Sequence, residues 1–136
     1  MKNWLSMLFA AALLGISFNG NAHDAHAADT KKLQLTNLMK AKLAGVKGTE
    51  VIVSRVALPP HTTLPTHWHP GEEFAYVLEG VVTLWQKGKA EIVGKKGDVM
   101  KVPLKQIHTA KTGKESAVIL VFRVHEEGQP ERVKAE

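Results

Sequence analysis

The stretch "THWHPGEEFAYVLEG", Thr66 to Gly80, decides how the rest of the chain is read. It sets His67 and His69 before a Pro70-Gly71 turn and the adjacent Glu72 and Glu73 after it. On a strand, residues two apart leave the same face with Cα atoms roughly 6.6 Å apart, so both imidazoles can converge on one ion. Past the turn, "EFAYVLE" (73–79) alternates, with Glu73, Ala75 and Val77 on one face and Phe74, Tyr76 and Leu78 on the other. Glu73 can then lie across from the histidines and point inward, while Glu72 faces away. A further imidazole, His108, stands five residues after Pro103 at the start of another short strand. Imidazole and carboxylate donors together bind first-row divalent metals, and three or four of them leave open positions for substrate or oxygen.

Working outward, the pattern from Glu50 onward is β. "EVIVSRVAL" (50–58) is alternating and β-branched, and Pro59-Pro60 ends it. "VVTLW" (81–85) follows Gly80, "AEIV" (90–93) precedes the "GKKGD" turn, and "VMKV" (99–102) runs up to Pro103. "SAVILVFRV" (116–124) is long enough to be a buried strand. Short strands with turn signals every eight to twelve residues, and no long helix, predict an all-β sandwich or barrel. "LQLTNLMKAKL" (33–43) is mixed: Leu33 and Leu35 alternate, whereas Leu35, Leu38, Met39 and Lys42 recur at helical spacing. The expectation there is a strand to about Leu38 and a turn region ending at Gly45–Gly48. No internal repeat or second domain boundary is visible. The polar tail "EEGQPERVKAE" (126–136) is expected to fray.

The N-terminus reads as a secretory signal peptide. Lys2 supplies the positive end, and Trp4 to Phe18 is apolar apart from Ser6 and Ser17. This run is shorter than the about 20 residues that a bilayer span needs. Cleavage after Ala22 or after Ala27 fits, giving a leader of residues 1–22 or 1–27 and a periplasmic or secreted protein. Cleavage after Ala22 would leave His23 as the terminus, and "HDAH" reads as a solvated tail. The absence of cysteine excludes disulfides and thiolate ligands. Formal charge is +5, and the leader to Ala22 carries only Lys2 of it. Eight lysines but only two acids, Glu91 and Asp98, lie between Val81 and Lys114. They stand beside turn glycines and on alternating positions, with Lys95 and Lys96 adjacent, and without interleaved aromatics. That is a solvated face, not a nucleic-acid surface, and it can attract acidic small molecules.

Residues 67–80 read H-x-H-x₃-E-x₆-G, and residues 97–108 read G-x₅-P-x₄-H with Gly97, Pro103 and His108 in place. The two motifs together resemble the cupin superfamily in its small single-domain bacterial form, over a domain from about Leu33 to Pro130. The resemblance implies a double-stranded β-helix, or jelly-roll, barrel with a metal inside its mouth. It also implies that His67, His69, Glu73 and His108 hold that metal, one divalent iron, manganese, nickel, copper or zinc. Glu73 fits the family spacing and Glu72 does not. Trp68 and Tyr76 read as packing or rim residues, and Ala75, Val77, Met100, Val102 and Leu120 as cavity walls. His61, Lys105 and Thr112 depart from the family pattern, the first two where glycine is usual, which puts the turns at 59–61 and 104–106 in doubt. His61 and His125 read as residues without a ligand role.

By this resemblance the protein is expected to be a metal-dependent enzyme on a small oxygen-rich molecule, of dioxygenase type first and isomerase or lyase second. Glu73 can release the metal and act as a base. The alternative is a non-catalytic exported binder of a metal or small ligand. A metal-free structural barrel ranks last. The expected partners are a small molecule and, as the family often shows, a second copy in a homodimer. Neither nucleic acid nor a membrane span after leader removal is expected.

Overall fold

The computed structural model describes residues 31–135. The leader, both cleavage points and the "HDAH" segment lie outside the described residues. Nine strands follow in order: β1 (Gln34–Lys42), β2 (Thr49–Leu58), β3 (His67–Trp68), β4 (Gly71–Gln86), β5 (Ile92–Lys95), β6 (Val99–Val102), β7 (His108–Lys111), β8 (Ala117–Glu126) and β9 (Val133–Lys134). Every pairing is antiparallel, and the path β1-β2-β8-β4-β7-β3-β9 carries β5 and β6 as further partners of β4. The curled sheet is the expected jelly-roll barrel.

Strand β4 explains the curl. The sequence reading has two strands here, 73–79 and 81–85, whereas the structure has one strand of 16 residues. Its first half lies between β8 and β6, and its second half between β5 and β7. Gly80 is the joint. Its φ is +71°, and a side chain there would collide with the Ser116 carbonyl. Only glycine takes both conditions at little cost, so the chain bends without breaking the ladder. Inside the bend lies the apolar core, which includes Val56, Leu58, Val77, Val82, Met100 and Ile119.

Several expectations need correction. β1 continues to Lys42 instead of stopping near Leu38, with a register shift between Asn37 and Met39. That bulge leaves Leu38 as an extra, unpaired residue and shifts the alternation beyond it, which breaks the strand's twofold period in the sequence. β1 is an edge strand and all nine of its residues are exposed. β5 begins two residues later than expected because Val81–Leu84 pairs with Ile92–Lys95. The tail does not fray: β9 pairs with β3, and the Ala135 amide donates to the Thr66 carbonyl. The doubtful turns keep a left-handed residue despite lacking glycine, with φ of 54° at His61 and 56° at Lys105.

Candidate metal centre

Three strands deliver the site. His67 on β3 stands directly opposite His108 on β7, so their side chains leave the same face. His69 follows two residues later, and the Lys105 amide, from the left-handed turn, donates to its carbonyl at 3.2 Å. Gly71 then begins β4 in a space that admits no side chain, since one would meet the Val124 carbonyl. This brings Glu73 inward, with its carboxylate 2.9 Å from His69 Nε2 and 3.9 Å from His108 Nε2. The three rings lie 4.5–5.1 Å apart between centroids, and one nitrogen from each falls within 4.8 Å of the others. All three histidines are buried, and the Glu73 side chain is 12% exposed. Glu72 points outward to Lys101, 2.7 Å away, as the alternation requires.

Each ring is held from behind by a backbone carbonyl. Nδ1 lies 2.7 Å from the Pro65 carbonyl in His67, 2.5 Å from that of Glu131 in His69, and 2.9 Å from that of Gln106 in His108. A carbonyl only accepts, so Nδ1 carries the proton in each ring and Nε2 presents a lone pair to the centre. Burial pushes the His67 imidazole down to about 4, and burial also lowers His108, so both stay neutral near pH 7. At Glu73 burial works against the charge. His69 and His108, once protonated, and Arg123 outweigh it and hold the carboxyl below its ordinary range.

These donors fit a metal. His69 Nε2 is buried, is 2.9 Å from a carboxylate oxygen, and is not aligned for a hydrogen bond with it. A lone pair facing a carboxylate repels it unless a cation lies between them. Three imidazoles and one carboxylate would supply that cation's ligands with positions left open.

The histidines and Glu73 share a cavity of about 50 Å³ with Arg123 and Arg132 and with mainly apolar walls. Ala75, Met100 and Val102 line it as expected, but Val77 and Leu120 do not. On β8 the inward residues are Ile119, Val121 and Arg123, which leaves Leu120 on the other face. An unbroken apolar run carries no period from which to read that phase.

Sequence reasoning missed Arg123 and Glu131. Arg123 is 2% exposed and donates from Nη2 to Ser54 Oγ at 2.6 Å. Ser54 donates in turn to Asn37 Oδ1, and Asn37 Nδ2 donates to the Glu131 carboxylate at 2.8 Å. The Glu131 carbonyl that holds His69 also accepts from Arg123 Nη1 at 3.4 Å. One charged residue inside "VILVFRV" was the available signal for Arg123. For Glu131, in a polar tail, there was none. His125 has no place among the candidate ligands, but it is buried, and its Nε2 meets the Pro130 carbonyl at 3.1 Å, which anchors the returning segment. His61 is exposed.

A cupin-domain family model matches residues 54–123, the span that contains all four candidate ligands and the joint at Gly80. The chain belongs to the cupin family. No curated protein matches it closely enough to name a nearer relative. Among solved structures, a DMSP lyase from Ruegeria pomeroyi is similar at 20% identity over 80% of this chain and 54% of that one, with a TM-score of 0.65. This cupin therefore spans about half the length of that enzyme. A cupin-like protein from Thermotoga maritima is 24% identical over 76% of this chain and 75% of its own, with a TM-score of 0.64. A polyketide cyclase from Streptomyces resistomycificus is 19% identical over 77% and 82%, with a TM-score of 0.54. At these identities the likeness is one of fold. The neighbours' different activities show that the cupin barrel alone does not select a reaction.

Proposed function

We propose that this cupin is a metal-dependent enzyme acting on a small oxygen-rich molecule. The observation that carries the reading is the convergence of three Nε2 lone pairs and the Glu73 carboxylate inside a largely apolar cavity. His67, His69, Glu73 and His108 would hold one divalent transition metal, and iron, manganese, nickel, copper and zinc all accept such a set. That ion would supply Lewis acidity toward an anionic or enolic oxygen and, if redox-active, reactivity toward dioxygen. The chain's own groups do the rest. The carbonyls of Pro65, Glu131 and Gln106 fix the rings, burial keeps His67 and His108 unprotonated, and the apolar walls exclude water. Glu73, held ionised, can accept a proton from a bound substrate.

Dioxygenase-type cleavage is the first reading, on the strength of the ligand set. A lyase or isomerase is the second, favoured by the ionised Glu73. A DMSP lyase among the structural neighbours agrees with that second reading. Oxygen uptake and anaerobic turnover of small diketones and hydroxy acids, measured on protein loaded with each metal, separate the two. Binding without turnover in either assay would make the protein a carrier of metal or ligand instead. We further propose export directed by residues 1–22 or 1–27, tested by sequencing the mature N-terminus. A homodimer is the assembly we propose, supported by the exposed Leu35, Leu38 and Met39 on the β1 edge and tested by sedimentation.

A further inference from the structure

We infer that the barrel cavity is built for a small carboxylate, received by Arg123 with Arg132 beside it. This rests on the small-molecule reading above but not on the metal. Arg123 leaves β8 on the same inward face as Ile119 and Val121, and it stands opposite Glu73 in the β4–β8 register. A buried guanidinium is costly unless acceptors meet its five donors. Here Nη2 has a good partner in Ser54, and Nη1 has only a long bond to the Glu131 carbonyl and a Glu131 carboxylate oxygen at 3.7 Å. Nε is buried with no partner among the described residues. The side chain is therefore anchored at its tip and left with donor capacity unused, on a residue that lines the cavity.

The charges nearby point to the same ligand. Arg132 lines the same cavity; burial opposes the Arg123 charge, the Glu73 and Glu131 carboxylates favour it, and Arg132 opposes it. Glu131 reaches Arg123 only at 3.7 Å and Glu73 is turned to His69, so neither carboxylate caps the guanidinium at close range. A monoanion entering the cavity would offer Arg123 the close acceptor that it lacks. A planar carboxylate matches a guanidinium edge, and the apolar walls suit a short hydrocarbon remainder. A cavity of about 50 Å³ suits a short remainder.

The test is calorimetric titration of chelator-treated and zinc-loaded protein with propionate and with propionamide, its neutral isostere. Propionate is expected to bind roughly tenfold or more tightly in both forms, as a charge-assisted contact implies. Arg123→Gln should abolish that preference, Arg123→Lys should keep part of it, and Arg132→Gln should weaken it a few-fold. Zinc stoichiometry at saturation should stay at one per chain in all three. Equal affinity of the unaltered protein for both probes would overturn the inference, and that measurement needs no variant. A preference that survives in Arg123→Gln and disappears without zinc would also overturn it, by assigning the carboxylate to the metal alone. Protein that takes up no zinc yet prefers propionate through Arg123 would refute the metal reading and uphold this one.

Discussion

Along the paired strands β4 and β8, the inner face of the barrel changes character within three register steps. Glu73 faces Arg123, then Ala75 faces Val121, then Val77 faces Ile119. The first pair belongs to the candidate centre and the last to the dry core. The same two strands therefore carry the chemistry at one end and the stability at the other. The apolar end stabilises the fold by removing hydrocarbon from water, at about 25 cal/mol per Å². The polar end opposes it: lone pairs, a carboxylate and a guanidinium are held close together with some hydrogen-bonding capacity unmet. A ligand or metal recovers that cost on binding, which is how a destabilising cluster becomes a binding site.

The largest effects should fall cleanly on one end or the other. Leu58→Ala, at a fully buried core position, should cost about 2–5 kcal/mol in chemical denaturation while the folded protein still binds metal. Metal loss in that variant would break the comparison. His67→Ala and His108→Ala should do the reverse, abolishing stoichiometric metal in elemental analysis while leaving the metal-free Tm little changed or raised. Next comes Glu131→Ala. It removes the carboxylate grip of Asn37 and Arg123 on the segment behind His69, and should weaken metal affinity roughly tenfold in competition with a chelator.

Acid should sharpen the same contrast. His67 has an ordinary value of 6.5 unfolded and about 4 folded, so between these limits the unfolded chain binds more protons. The metal-free protein should then lose stability as pH falls from 6.5 to 4, and His108, also lowered, acts in the same direction. Glu73, held below its usual 4.5, adds a further loss under more acidic conditions. A flat Tm profile from pH 7 to 4 would contradict the burial of these imidazoles. The smallest effect is expected at the turn whose backbone amide supports the His69 carbonyl. Lys105→Gly relieves a left-handed backbone at φ 56° and should stabilise by about 0.5–1 kcal/mol, with metal binding unchanged.

The legible features were those with a local period or a fixed spacing. His67 and His69 sit two apart before a turn and Glu73 follows the alternation of β4, so a few residues on each side sufficed to place them, whereas His108 was singled out by its spacing in the second cupin motif. β6 at Val99–Val102 falls where its alternation placed it. The misreadings have physical causes. Gly80 looked like a stop because a glycine ends a strand as often as it bends one, and only pairing on both edges of β4 shows the difference. The bulge in β1 was hidden because it depends on β2 as a partner.

The sequence by itself determined the chemistry: an all-β chain with three imidazoles and one carboxylate in two cupin motifs. Those facts depend on residue type and short-range alternation, which the backbone's twofold period transmits directly. Tertiary structure decided what surrounds them. It turned Arg123 into the cavity, and it brought Glu131 back behind His69, 62 residues away along the chain. No local pattern encodes those contacts, because they arise only when the sheet closes and the distant strands β3, β8 and β9 are held in one barrel.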